Sequence, residues 1–160
     1  MRSLDKTRRL SVFLASALFA SFLAGCNANQ PIDAGAQGVP SVPSKISAEK
    51  LIGRWGVAAY HRDSDRPRTE GEARRQCSNP YVIKAGANGG VIMHLADQAD
   101  PQELFLKGSS SGSTYLGPAG MAAVAADREI VAISDNSFTI KWVSPDNSSR
   151  YGTMVYIRCS

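Results

Sequence analysis

Gly108-Ser109-Ser110-Ser111-Gly112 has the Gly-x-Ser-x-Gly spacing at which a strained strand-to-helix turn exposes a nucleophilic serine. Such a serine needs an acid and then a histidine base later in the chain, and both histidines, His61 and His94, precede it. The order His94, Asp97, Ser110 belongs to a two-barrel architecture that a domain of roughly 110 residues cannot build. The run therefore reads as a flexible hairpin loop. Asp97, Asp100 and Glu103 could offer oxygens to calcium, but they lack the EF-hand ligand spacing, and with Gln98 and Pro101 among them they read as an acidic loop. His61 and His94 form no His-x-His or His-Glu-x-x-His pair, so both read as structural. Glu129 alone among the acids is placed near a strand centre, and hydrolysis by paired carboxylates needs two. No catalytic set, metal site or cofactor motif is complete, and the chain is expected not to be an enzyme.

The elements that would position these residues are mostly short strands. Ser47 can cap a helical turn that Gly53 ends, and Trp55, Val57 and Ala59 then alternate with Gly56, Ala58 and Tyr60 in the period of a half-buried strand. Pro80–Lys84 and Gly90–Leu95 flank Asn88-Gly89, a hairpin-turn pair. Further strands are expected at Glu103–Lys107, Thr114–Leu116, Glu129–Ile133, Phe138–Val143 and Tyr151–Cys159, with turns at 134–136 and 144–147. This spacing indicates an all-β barrel or sandwich. Residues 121–126 are alanine-rich but too short to assign as helix. The charged insertion His61–Gln76, with five arginines and four acids, reads as a solvated loop pinned by Cys77, or as a partner-facing surface. Within it, Thr69–Gln76 could be a helix capped by Thr69, with Glu72 at capping-box spacing.

The N-terminus has a different character. Arg2, Lys6, Arg8 and Arg9 precede the apolar run Leu10–Leu23, the layout of an export signal or an uncleaved anchor. The run falls short of the roughly twenty residues that a membrane span needs. It closes on Leu23-Ala24-Gly25-Cys26, which resembles the lipobox of bacterial lipoproteins. The resemblance implies removal of residues 1–25, diacylglycerol on the Cys26 thiol, and usually acylation of the new amino group. Anchoring by two or more chains is stable. Asn27, where an enteric inner-membrane lipoprotein has Asp, favours the outer membrane, facing the periplasm or the surface. Residues 26–45 then form a lipidated flexible tether, and 46–160 a domain. The net charge of +4 resides mainly in the leader, because residues 1–25 hold four basic residues and one acid, leaving fourteen and thirteen. A near-neutral remainder has no field with which to steer nucleic acid.

In that exported setting Cys77 and Cys159 would pair, with two free thiols as the alternative. Gly53-Arg54-Trp55 at the head of the first strand and Arg158 in the last resemble the calycin and lipocalin signature. That resemblance implies a single antiparallel barrel of about eight strands, with Trp55 closing the base under Arg158. It is similar also to the exported alkaline-metalloproteinase inhibitors, which share the short helix and Gly-x-Trp. Those carry a short disulfide in their early strands and use a free N-terminus, so no inhibitory residue is carried over. The expected function is a membrane-anchored, non-catalytic binding or interaction module for an unknown protein. The alternatives are a protease inhibitor and a carrier of a small apolar ligand with Trp55, Trp142, Phe138 and Tyr156 as pocket walls.

Overall fold

The computed structural model describes residues 38–160. Cys26, the lipobox and most of the tether lie outside them. Nine strands follow in order: β1 (Val42–Pro43), β2 (Gly53–Tyr60), β3 (Tyr81–Ala85), β4 (Val91–His94), β5 (Pro101–Gly108), β6 (Thr114–Gly117), β7 (Arg128–Ile133), β8 (Ser137–Trp142) and β9 (Thr153–Arg158). From β2 onward each strand pairs antiparallel with its chain neighbours, and β5 joins β6. The ring shuts where β9 returns to β2, in a ladder running from Trp55 opposite Arg158 to Tyr60 opposite Thr153. Eight strands thus make a closed up-and-down barrel, consistent with a calycin-like fold, and the sandwich alternative falls. Closure removes the free strand edges that an open sheet would expose.

The segment read as a tether does not run free to residue 45. Val42 and Pro43 pair with Gly108 and Lys107, beyond the stretch of β5 that β4 uses, and Val39 bridges to Ala122. Ser47 stands at the N-cap of the 3₁₀ turn Ala48–Lys50 as expected, but its side chain makes no cap bond.

That turn closes the base. Leu51 is fully buried, and Trp55 donates from Nε1 to the Leu51 carbonyl at 2.8 Å. Trp55 meets Phe138 edge-on at 4.7 Å, and Phe138 stacks on Tyr156 at 4.2 Å. Around them pack Ile83, Val91, Met93, Leu104, Leu116 and Ile140, so this half of the barrel is filled. Gly53 has a φ of +145°, and a Cβ there would stand 2.5 Å from Arg158 Nη1. Only glycine admits both the backbone angle and the guanidinium.

The insertion after β2 is not a loop. It holds α1 (Arg66–Arg75), which starts three residues before Thr69. Pro67 suits the first turn, where an amide N–H would lack a partner, and Thr69 Oγ1 donates back to the Asp65 carbonyl instead of capping. The arginines are largely paired within the segment, Arg62 with Asp65, Arg66 with Glu70, and Arg75 with Glu72. Exposed pairs of this kind contribute little each. What docks the helix is its small face: Ala73 is fully buried, and a Cβ on Gly56 would come within 1.9 Å of the Ala73 carbonyl oxygen. Tyr60, Val155 and Ile157 complete this outer cluster. Just beyond α1, Cys77 is disulfide-bonded to Cys159.

A second correction concerns residues 144–151. Instead of a turn leading into a long last strand, Ser144 caps α2 (Pro145–Tyr151), accepting from the Asn147 amide at 3.3 Å. The strand begins only at Thr153.

Candidate functional site

The end of the barrel opposite the 3₁₀ turn is not filled. A cavity of about 210 Å³ lies there, lined by Val57, Tyr81, His94, Leu95, Ala96, Asp97, Arg128, Trp142, Tyr151, Met154 and Tyr156. Strand alternation explains the wall. Trp55 and Val57 face inward from β2, as do Met154 and Tyr156 from β9 and Trp142 from β8, two residues past buried Ile140. His94 and Asp97, both exposed, stand at the mouth.

The loop after β4 is latched to α2 across that mouth. Arg150 Nη1 donates to the two Asp97 carboxylate oxygens at 2.8 and 2.7 Å, and Tyr151 donates to the same carboxylate. The Tyr151 hydrogen bond, and then Arg150, hold the Asp97 carboxyl below its ordinary range against the opposing effect of burial. Asp97 itself has a left-handed φ of 58°, which aspartate tolerates better than most residues. His94 accepts from or donates to Tyr81 Oη through Nδ1 at 3.1 Å, and the same hydroxyl accepts from the His94 amide at 3.0 Å.

Inside, below the Asp97 latch, one buried charge stands among mostly apolar and aromatic side chains. Arg128 is only 2 % exposed, and its guanidinium lies 4.5 Å from the centre of the Trp142 ring. One terminal nitrogen donates to the His94 carbonyl. Its Nε is buried with no acceptor among the described residues, and so is Trp142 Nε1. Burial lowers the Arg128 pKa, although guanidinium stays protonated at any ordinary pH. Tyr156, buried on the same wall, has its hydroxyl pushed up to about 12 by burial.

The sequence-derived residues divide around this cavity. Trp142 and Tyr156 line it, whereas Phe138 and Trp55 belong to the packed half below. Gly53, Trp55 and Arg158 meet at the closed base, where the Arg158 guanidinium is 4.1 Å from the Trp55 ring. The serines of the 108–112 run occupy the β5–β6 hairpin, with Ser109 Oγ 2.8 Å from Ser111 Oγ and neither histidine among their hydrogen-bond partners. Glu103 is spent on the 88–90 turn, where its carboxylate accepts from the Asn88 and Gly90 amides at 2.8 and 2.9 Å. Glu129 accepts from Ser113. Of the three acids of the 97–103 loop, Asp97 and Glu103 therefore serve separate structural tasks.

Arg128 is not among the residues that the sequence points to, because the pattern Glu129–Ile133 starts the strand one residue after its true beginning. The signal was available: Arg128 and Ile130 are two apart, and the apolar partner fixes that face as inward. No family model matches the chain, and neither curated proteins nor solved structures yield a match.

Proposed function

We propose that this chain is a non-catalytic envelope lipoprotein, held at the outer membrane through acylated Cys26, whose barrel is a binding module. The observation that supports it is the half-filled interior. Small barrels of eight strands are ordinarily packed by their own side chains or hold one small ligand. Here Trp55, Phe138 and their neighbours fill one half, while the other keeps a cavity walled by Val57, Leu95, Met154, Trp142 and Tyr156. At about 0.8 kcal/mol for each methylene buried, a short apolar chain would gain useful affinity there. The volume is below the 300–1,000 Å³ usual for drug-sized ligands, so the occupant is small or projects through the mouth.

Calorimetric titration of the full chain with 1-octanol tests the module. Saturable binding that is lost in Ala96→Trp, which places an indole at the mouth, is the expected result. Absence of any heat of binding with 1-octanol and with short alkyl acids alike would end this reading. The anchor has its own test: Cys26→Ala should leave the membrane fraction, and unchanged membrane association would refute acylation at that residue.

A further inference from the structure

Arg128 carries a full charge in a place where the described residues give it no counter-charge. Among the described residues the ion pairs are Lys50–Asp135, those of the α1 region, Lys107–Asp127 and Arg150–Asp97, and none includes Arg128. The one carboxylate on the cavity wall, Asp97, is already engaged by Arg150 and Tyr151. A buried cation without a partner is costly, and folds retain one chiefly where something pairs with it.

The geometry around it is suited to an incoming acceptor. Stacking on Trp142 fixes the guanidinium plane, and the bond to the His94 carbonyl fixes its rotation. The buried Nε remains without an acceptor, and Trp142 on the same wall has a second unused donor. Guanidinium nitrogens in a fixed fork match the two oxygens of a carboxylate. In the same cavity, Val57, Met154 and Tyr156 offer apolar surface, and Arg128 is the one Lys or Arg among the lining residues.

We infer that Arg128 is the anchor for a ligand carboxylate, and that the cavity takes a small amphipathic monocarboxylate with its apolar part against Val57, Met154 and Tyr156. A single guanidinium balances one negative charge, which disfavours doubly charged phosphate monoesters. The inference rests on the barrel being a binding module, and it specifies the chemical class bound. Arg128 is a binding residue in this account, with Trp142 and the His94 carbonyl as its positioning groups.

The test compares sodium octanoate with 1-octanol, which share a chain and differ in the head group. In calorimetric titration of the full chain, octanoate should bind at least about tenfold more tightly, in line with the value of charge-assisted hydrogen bonds in a dry site. Arg128→Met should remove that preference, weakening octanoate by about tenfold or more while leaving 1-octanol within about threefold. Equal binding of the two probes to the unaltered protein overturns the inference and leaves the binding module standing. Octanoate binding that survives Arg128→Met overturns it as well. Failure of both probes to bind overturns module and anchor together. Because the head-group comparison needs no variant, the result stands even if Arg128→Met folds poorly.

Discussion

Arg158 and Trp55 are stacked at 4.1 Å in the closed end of the barrel, and every branch of the guanidinium there reaches a carbonyl. Nε donates to Asp135, one terminal nitrogen to Ile52 and the other to Lys50, at 2.8, 3.0 and 2.8 Å. The last strand is thereby tied to the 3₁₀ turn and to the β7–β8 turn in one residue. Arg128 and Trp142 repeat the stack in the open half, at 4.5 Å, with a single carbonyl partner. The same pair of side chains is structurally complete in one place and incomplete in the other.

That contrast predicts opposite stability effects. Trp55→Ala should destabilise by about 3–5 kcal/mol, through lost burial and an unfilled base. Arg158→Ala should cost about 1–3 kcal/mol, because it strips donors from three carbonyls, that of Ile52 partly buried, and uncovers the Trp55 ring. Arg128→Met should leave stability unchanged or raise it, as replacement of a buried charge by an apolar chain of similar length often does. Urea midpoints at constant slope read all three. A large loss in Arg128→Met would mean that the open-half stack is structural too.

The disulfide acts on a different layer. Cys77 and Cys159 are 82 residues apart, and the bridge fastens the end of α1 beside the last strand. For a loop of roughly 80 residues the chain-entropy account gives about 4.5 kcal/mol. Cys77→Ser with Cys159→Ser should approach that loss in chemical denaturation. Because α1 docks mainly through Ala73 on Gly56, hydrogen exchange should accelerate in α1 before the barrel strands. Uniform acceleration across β2–β9 would place the bridge in the barrel's own stability instead.

The all-β class and most strands were legible, because alternation and Asx-Gly or Pro turns are local signals. The Asn88-Gly89 hairpin needed no tertiary information beyond its own strands. Helix α2 was missed because Ser144-Pro145-Asp146-Asn147 reads equally as a turn and as a capped first helical turn. Helix α1 was placed too late, since Thr69 offered a cap while the docking of Ala73 on Gly56 decided where the helix lay. Least legible were the buried charges. Lys107 and Asp127 look like surface residues, yet both are enclosed, with Nζ 2.7 Å from the carboxylate. Their burial follows from how the 118–127 connection folds over the barrel, which no local pattern encodes.

That pair supplies the next prediction. Lys107 Nζ also donates to the Pro118 and Met121 carbonyls at 2.8 Å each, so one ammonium gathers the whole connection. Lys107→Met alone should cost about 3–5 kcal/mol, because it leaves the Asp127 carboxylate buried without its counter-charge, with only the Val124 amide donating to it. Adding Asp127→Leu should recover part of the loss rather than double it, a coupling that a double-mutant cycle measures. Strict additivity would mean that the two charges act independently.

Tyr156 links the cavity to pH. Burial pushes its hydroxyl from the ordinary value of 10 up to about 12, and the nearby Arg128 charge opposes this only in part. The folded value lies above the unfolded one, so folding favours the neutral phenol. The associated stability is fully present below pH 10 and is lost as the pH rises from 10 towards about 12. A shift of that size corresponds to about 3 kcal/mol at the end of the window. In an alkaline titration, part of the tyrosinate absorbance should therefore appear late, together with loss of the near-ultraviolet circular dichroism. In Tyr156→Phe that late component should vanish, and unfolding should move to higher pH, because the phenol that must ionise on unfolding is gone. A titration curve identical in the variant would show that Tyr156 does not limit alkaline stability, and that its hydroxyl reaches water through the mouth of the cavity.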